Sequence, residues 1–294
     1  MVTLPVYASL KSETLLKNIL FATDFSEASM KAFPYAVALA KKFGATVYAC
    51  HTIIPSSLAA AAPQVAPELY EAERSASEDE LKNILRSPLL EGIKTESHLS
   101  SGLLGDCIAE EIKNKNVDLV IAGTHGRTGW RRLLLGSAVE VICRTATCPV
   151  LTVGPGLPPA PISFKRILLP TDLSDESMSC LPTVAKLAAA FEASVTVLHV
   201  LPEEIASNPD IKKLSEPILR IMTGTFKPQL DSIHTEFAIE SGDTAETILK
   251  VARDSKADLI ALGIKNAFLP NLNLRTSVAY RVMAMSPCPV LTCR

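Results

Sequence analysis

Three glycines and a serine in the first half of the 294-residue chain have the types and spacing to bind an anion. Gly123 and Gly126 follow an apolar run, and after nine intervening residues Gly136-Ser137 precedes a predicted helix. Glycine lets the main chain turn sharply and bring its N–H groups close to a ligand. The free N–H groups and the dipole of a helix N-terminus favour phosphate. The spacing predicts a phosphate-binding loop, with three ordinary turn glycines as the alternative interpretation.

Polar side chains near these glycines have two interpretations each. Ser137 is a predicted N-cap with Glu140 completing a capping box, but its hydroxyl could instead bind a phosphate oxygen. His125 could donate to a phosphate or could be a surface histidine. Asp24 follows the first predicted strand, where it could accept a hydrogen bond from a sugar or a base. It could also close the turn before the helix that begins near Ser26.

The chain repeats itself, and the repeat places chemically similar residues at equivalent strand ends. Residues 17–26 match residues 165–174, and residues 117–123 match residues 257–263. Between the copies, the segment 154–161 contains four prolines, which is typical of a short linker. The sequence therefore predicts domain 1 at residues 1–154, a proline-rich linker at residues 155–163 and domain 2 at residues 164–294.

Apolar runs and amphipathic segments alternate within each copy. In domain 1 the predicted strands are residues 19–23, 46–53, 95–99, 119–122 and 150–153, and the predicted helices are one from Ser26 to Gly44 and three over residues 68–86, 108–115 and 137–146. This alternation predicts an α/β fold in which a parallel sheet carries helices on both faces. In such sheets ligands bind beyond the carboxyl ends of the strands.

Composition and charge narrow the class of protein. Hydrophobic residues make up 48% of the chain and charged residues 20%, which is typical of globular domains. With 29 basic and 31 acidic residues the net charge is −2, so no basic excess favours nucleic acid or an anionic membrane. The first 20 residues lack a secretory signal pattern, and seven cysteines without a CxxC pair do not suggest a disulfide framework. We expect a cytoplasmic protein with reduced cysteines and no nucleic-acid or membrane partner.

The tandem repeat, the segment Ala-Thr-Asp-Phe-Ser at residues 22–26 and the Gly-x2-Gly-x9-Gly-Ser motif closely resemble the ATP-binding branch of the universal stress proteins. The resemblance covers nearly the whole chain. It implies two tandem Rossmann-like domains of the adenine nucleotide alpha hydrolase-like type, each with a five-stranded parallel sheet. It also implies ATP as the ligand, with Mg²⁺ bridging the phosphates. By position it assigns to the nucleotide site Ala22, Thr23, Asp24, Thr52, Ala122, Gly123, His125, Gly126, Gly136, Ser137, Ala138 and Val139.

The resemblance gives these positions different parts of the nucleotide. Asp24 would approach the nucleoside, and the main chain of Thr52 would read the adenine. Ala122 and Gly123 would lie along the ribose and phosphates, and the motif residues after them would line the triphosphate.

The second copy keeps the framework of the first but loses most of the motif. Gly126 is replaced by Asn266 and Gly136 by Thr276, which adds side chains where the main chain should touch phosphate. We therefore expect domain 2 to bind ATP weakly or not at all. In the resembling family, domains pair through the last strand. Residues 149–153 and 289–293 are thus expected to form a pseudo-dimer within one chain, and a homodimer of the tandem chain is also open.

The favoured hypothesis is an ATP-binding regulatory protein of the stress response. Domain 1 would bind ATP, and domain 2 would act mainly as the pseudo-dimerisation partner. The motif region has no Walker-type lysine, no acidic metal cluster and no clear base for activating water, so we expect at most a weak ATPase. The alternatives are a slow ATP-hydrolysing or nucleotidyl-transferring α/β enzyme and a ligand-free scaffold.

Overall fold

The computed structural model describes residues 16–54, 66–124, 135–155, 157, 162–206, 211–264 and 277–294. Strands and helices alternate through both halves of the chain. The elements of the first half are β1 (Asn18–Ala22), α1 (Glu27–Met30), α2 (Phe33–Phe43), β2 (Thr46–Ile53), α3 (Ala66–Leu85), β3 (Thr95–Ser101), α4 (Leu104–Lys115), β4 (Leu119–Gly123), α5 (Ser137–Thr145) and β5 (Val150–Val153). The elements of the second half are β6 (Arg166–Pro170), α6 (Asp175–Met178), α7 (Leu181–Phe191), β7 (Ser194–Leu201), α8 (Glu203–Ala206), α9 (Ile211–Phe226), β8 (Thr235–Ser241), α10 (Thr244–Asp254), β9 (Leu259–Gly263), α11 (Val278–Met285) and β10 (Val290–Cys293).

The strands of both domains join in one ten-stranded sheet, in the order β3-β2-β1-β4-β5-β10-β9-β6-β7-β8. Within each domain all five strands run parallel. The two domains meet where β5 and β10 pair antiparallel, with Leu151 opposite Leu291. The predicted fold class is confirmed, and the two last strands pair with each other as expected.

Each face of this sheet is covered by a layer of buried apolar side chains that continues from one domain into the other. Ile19 and Phe21 pack in one layer and Leu20 in the opposite layer, as the alternation of a strand requires. Leu151 and Leu291 share a layer with Ile19. Burying both last strands in this way removes two exposed strand edges, which would otherwise invite pairing with other chains.

The segment after β1 differs from its prediction, because two helices replace the single one expected from Ser26 to Gly44. The break falls before Pro34, which lies in the first turn of α2. Proline has no N–H to donate and is tolerated in a first turn but not inside a helix. The predicted end of this segment is confirmed, since Gly44 caps α2 in the left-handed conformation with a φ of 68°.

Two buried threonines tie the domains together beside the β5–β10 ladder. The hydroxyl of Thr152 donates to the Val290 carbonyl at 3.1 Å, and the hydroxyl of Thr292 donates to the Val150 carbonyl at 3.3 Å. Both threonines are 1% exposed, so water cannot replace these bonds. The pair is symmetric and marks the pseudo-twofold axis between the domains.

Replacing Thr152 with valine is expected to lower the free energy of unfolding by about 1 kcal/mol, because the isosteric side chain leaves a buried carbonyl with one bond fewer. Urea denaturation of the full chain measures this loss. Thr223→Val is the control, since the Thr223 hydroxyl donates to the Leu219 carbonyl of its own helix in a hydrogen bond that water can reach. An equal loss in both variants would contradict a role for Thr152 between the domains.

Within the described ranges, no helix is both long and apolar enough to cross a membrane. Several of the cysteines are buried in the core, as expected from their role as small apolar side chains. Burial raises the pKa of the Cys143 and Cys288 thiols to about 12, so both are protonated near neutral pH.

Candidate functional site

A cleft opens in domain 1 at the carboxyl ends of β1, β2 and β4. Chain order reverses here, since β2 lies on one side of β1 and β4 on the other. Such a switch point leaves a crevice beyond the strand ends, which is where ligands bind in open parallel sheets. The cleft has an empty volume of about 600 Å³, including open solvent. Residues of α4 and α5 also line it.

Most of the residues predicted for the nucleotide site lie together in this cleft. Those that line it are Ala22, Thr23, Asp24, Thr52, Ala122, Gly123, Gly136, Ala138 and Val139. Ser137 does not line the cleft; it is the exposed first residue of α5. His125 and Gly126 lie outside the described residues. Of the motif residues that the structure describes, Gly123 and Gly136 therefore line the cleft and Ser137 does not.

Asp24 both lines the cleft and closes the turn after β1. Its Oδ1 accepts hydrogen bonds from the Ser26 N–H at 3.1 Å and the Ser26 hydroxyl at 2.6 Å. Ser26 in turn caps α1 by accepting from the Ser29 N–H at 3.1 Å. The turn-closing interpretation of Asp24 is thus observed, and the carboxylate is held at the cleft wall by the same bonds.

His51, on β2, supports the turn that follows β1. Its Nδ1 lies 2.8 Å from the Thr23 carbonyl oxygen, and its ring centroid lies 4.4 Å from that of Phe25. Phe25 has a φ of 63°, in the left-handed region that costs free energy for a residue with a side chain. His51 and the Thr23 hydroxyl, which accepts from the Phe25 N–H at 2.9 Å, hold this strained turn in place.

The start of α5 differs from its prediction in a way that favours anion binding. The N-cap is Gly136, not Ser137, and Gly136 has no side chain with which to accept from the first-turn N–H groups. The predicted capping box is wrong, because the Gly136 carbonyl already accepts the Glu140 N–H at 3.1 Å and Ser137 is inside the helix. The Glu140 carboxylate pairs instead with Arg144 at 3.0 Å. As the N-cap residue, Gly136 therefore gives the first-turn N–H groups no side-chain cap.

Gly123 has a different role from the sharp turn predicted for it. It ends β4 and is not among the described residues with positive φ. A Cβ at this position would lie 2.7 Å from the Ala28 carbonyl oxygen and 2.7 Å from the Ser29 Cα. The absence of a side chain lets α1 pack directly on the end of β4, which shapes the floor of the cleft.

An apolar wall lines part of the cleft, and of its members only Val139 was predicted from the sequence. Its members are Ile54, Leu104, Ile108, Val139 and Ile142. Leu104 and Ile108 are one helical turn apart on α4, a spacing that could have predicted their shared face. The prediction missed Leu104 because α4 begins at this residue, four residues earlier than expected. An apolar wall of this kind suits a flat base better than a sugar or a phosphate.

Domain 2 has an equivalent cleft with a different lining. Its empty volume is about 810 Å³, so the second site is not lost by closure. Val200 stands in the repeat position of Thr52, Leu262 in that of Ala122 and Val278 in that of Ala138. Asp172 accepts from Ser174 as Asp24 does from Ser26. Burial alone would raise the pKa of Asp172, but hydrogen bonds from Ser174 and Ser177 hold the pKa below its ordinary value.

The helix that faces the domain 2 cleft is capped, unlike α5. Ser277 is the N-cap of α11, and its hydroxyl accepts the Tyr280 N–H at 3.2 Å. This bond uses one of the first-turn N–H groups that a phosphate would need. The two domains therefore share a cleft and a framework but differ at the helix end where an anion would bind.

The described residues hold no group of three or more His, Cys, Asp or Glu side chains placed to bind a metal. Asp24 is the carboxylate that lines the domain 1 cleft. A magnesium ion would therefore fit here only with most of its ligands from phosphate oxygens and water, which is the usual way Mg²⁺ accompanies nucleotides.

Comparisons with known proteins agree with this architecture. The family model described as Universal stress protein family matches the chain twice, at residues 16–154 and 163–294. A universal stress protein of Methanocaldococcus jannaschii is 34% identical over 142 residues, covering 48% of this chain and 84% of that protein. A universal stress protein of Synechocystis is 24% identical and spans 95% of this chain and all of its own length.

Among solved structures, a universal stress protein from Archaeoglobus fulgidus superposes with a TM-score of 0.71 at 20% sequence identity. The superposition covers 96% of this chain and 99% of that one, so the same fold extends over both domains. The two matches of the family model together span most of the chain. The protein belongs to the universal stress protein family and carries two of its domains in tandem.

Proposed function

We propose that domain 1 binds ATP and that the chain is a nucleotide-binding regulatory protein of the stress response. The observation that carries the proposal is the start of α5, where an N-terminus capped by Gly136 opens onto the domain 1 cleft. Uncapped first-turn N–H groups and the positive end of the helix dipole favour a phosphate chain.

The lining of the cleft supports a nucleotide over a free anion. The apolar wall of Ile54, Leu104, Ile108 and Ile142 offers a surface for the base. Asp24, held by Ser26, can accept a hydrogen bond from a ribose hydroxyl. The main chain at Ser137, Ala138 and Val139 can donate to phosphate oxygens. A bound Mg²⁺ would neutralise part of the phosphate charge.

Domain 2 serves in this proposal as the pseudo-dimerisation partner. Its last strand completes the sheet of domain 1, and its own cleft has a capped helix and a bulkier lining at Leu262 and Val278. Both features disfavour phosphate, so we propose one nucleotide site per chain. We place the domains at residues 1–154 and 164–294, joined by the linker at 155–163.

The test is the binding stoichiometry of the full chain. Calorimetric titration with ATP and Mg²⁺ is expected to give one site per chain, and denaturing the purified protein is expected to release adenine nucleotide when any co-purifies. The bound ATP is expected to remain unchanged over hours. The described residues that line the cleft include no Walker-type lysine, and so no base beside one.

Three other results would each contradict a different part of this proposal. Two sites per chain would show that the lining of domain 2 does not prevent binding. Rapid turnover of ATP would favour the enzyme, and an absence of binding by the folded chain would favour the ligand-free scaffold.

A further inference from the structure

A hydrogen bond between the domains joins Tyr280 of domain 2 to Leu135, the residue before the N-cap of α5 in domain 1. The Tyr280 hydroxyl accepts the Leu135 N–H at 3.1 Å, and Leu135 directly precedes Gly136. Leu135 is 6% exposed and Tyr280 is 5% exposed, so the bond is sealed from water. Without the Tyr280 hydroxyl the buried Leu135 N–H would lose this acceptor.

The next N–H along the chain is held by domain 1 itself. Gly136 donates to the Thr124 carbonyl at 2.8 Å, just beyond the end of β4. Two successive main-chain donors therefore fix the entry into α5, one through each domain. Both bonds act on the main chain that leads into the first turn of α5.

Domain 2 also contacts the opposite end of α5. Arg294, which follows β10, donates from its guanidinium to the Cys143 carbonyl at 2.6 Å. Carbonyls in the last turn of a helix lack partners within the helix, and a positive charge there is favourable for the helix dipole. Domain 2 thus holds α5 near both ends, at Leu135 and at Cys143.

The repeat shows that this arrangement is one-sided. Tyr280 occupies the position that Glu140 has in domain 1, and Glu140 bonds within its own helix to Arg144. Only domain 2 has a tyrosine at this position, so the two domains are not equivalent halves of the pseudo-dimer. Domain 2 contributes a side chain to the framework of the domain 1 cleft.

We infer that Tyr280 is a positioning residue for phosphate binding in domain 1, so that domain 2 sets the nucleotide affinity of its neighbour. The inference rests on the proposed function. Tyr280 is not among the residues that line the cleft; it acts through the Leu135 N–H on the main chain of α5. If the role of Tyr280 were purely structural, its replacement would weaken the binding of all ligands of the cleft alike. If Tyr280 is a positioning residue, its replacement weakens the binding of ligands that carry phosphate.

The test compares ATP with adenosine on the full chain by calorimetry. In Tyr280→Phe, ATP is expected to bind about tenfold more weakly, because one buried hydrogen bond is lost and its donor is left unsatisfied. Adenosine, which does not reach the α5 N-terminus, is expected to keep its affinity within about twofold. Arg294→Gln is a second variant, and its ATP affinity is expected to fall by less than that of Tyr280→Phe.

Tyr48→Phe is the matched control. Its hydroxyl is 3.5 Å from the Asn18 side-chain oxygen, at the amino ends of β1 and β2 and away from the cleft. ATP affinity is expected to stay within about twofold of the parent chain. Melting temperatures of all variants show whether each is folded.

The outcomes separate this inference from the proposed function. An unmodified chain that binds no ATP overturns both. A chain that binds ATP, together with a folded Tyr280→Phe variant of equal ATP affinity, overturns the inference and leaves the proposed function standing. Equal weakening of ATP and adenosine in Tyr280→Phe also overturns it.

Discussion

Replacing Gly263 with alanine is expected to lower the free energy of unfolding by about 3 kcal/mol, the upper end of the usual cost of overpacking. The Cβ would overlap the Glu176 carbonyl oxygen, and it would lie 2.6 Å from the Ser177 Cα. Both are main-chain atoms of α6, so no side chain can move aside to relieve the contact. Gly123→Ala is expected to have the same effect in domain 1, where the Cβ would meet the main chain of α1. Urea denaturation of the full chain measures both losses.

Gly224→Ala is the control for these two variants. Gly224 lies inside α9 and is exposed, and a Cβ added there would lie in open space. Alanine is favoured over glycine inside a helix by about 1 kcal/mol, so this variant is expected to be more stable than the parent chain. If Gly123→Ala and Gly263→Ala were as stable as Gly224→Ala, the close packing of α1 on β4 and of α6 on β9 would be disproved.

This prediction separates two kinds of glycine within one sequence motif. Gly123 is a packing residue, and Gly263 is kept in domain 2 because the same packing is needed there. The retained glycine is therefore not evidence that domain 2 binds a ligand. The two domains differ instead at the helix start, where Gly136 gives α5 no side-chain cap and Ser277 caps α11.

The strands and the place of the cleft could be predicted from the sequence, because the strands follow from local patterns and ligands bind beyond the carboxyl ends of parallel strands. Apolar runs such as residues 46–53 and 150–153 form strands with the predicted bounds. The cleft then follows from the topology, since the carboxyl ends of β1 and β4 meet at the switch point. Asp24 and Thr52 reach the cleft for this reason alone.

Other features depend on contacts that local patterns do not encode. A shift of one residue decides whether Ser137 caps its helix, as Ser277 does, or lies inside it. The bond from Leu135 to Tyr280 joins residues 145 positions apart and depends on how β5 pairs with β10. Neither the register of a cap nor a contact across a domain boundary can be read from spacing, because tertiary packing selects between alternatives of similar local free energy.

Replacing Ala138 with aspartate is expected to weaken ATP binding by about 100-fold while leaving the protein folded. Ala138 is in the first turn of α5 and lines the domain 1 cleft. A carboxylate there would repel phosphate. The repulsion energy of two like charges about 4 Å apart near a protein surface is a few kcal/mol. The same carboxylate is favourable at a helix N-terminus, so stability is expected to be equal or slightly higher. Calorimetry with ATP and thermal melts measure the two effects.

Two further variants make this result specific to charge and to domain 1. Ala138→Asn has the same size as the aspartate without its charge, and its ATP affinity is expected to fall by less than about fivefold. Val278→Asp places the same charge in the first turn of α11, where it lines the domain 2 cleft, and is expected to leave ATP affinity unchanged. The difference in ATP affinity between the aspartate and asparagine variants is expected to become smaller at high salt, because exposed charges are screened. Should Val278→Asp weaken ATP binding as much as Ala138→Asp does, the phosphates would not be bound by domain 1 alone, and the asymmetry between the capped and uncapped helices would lose its functional meaning.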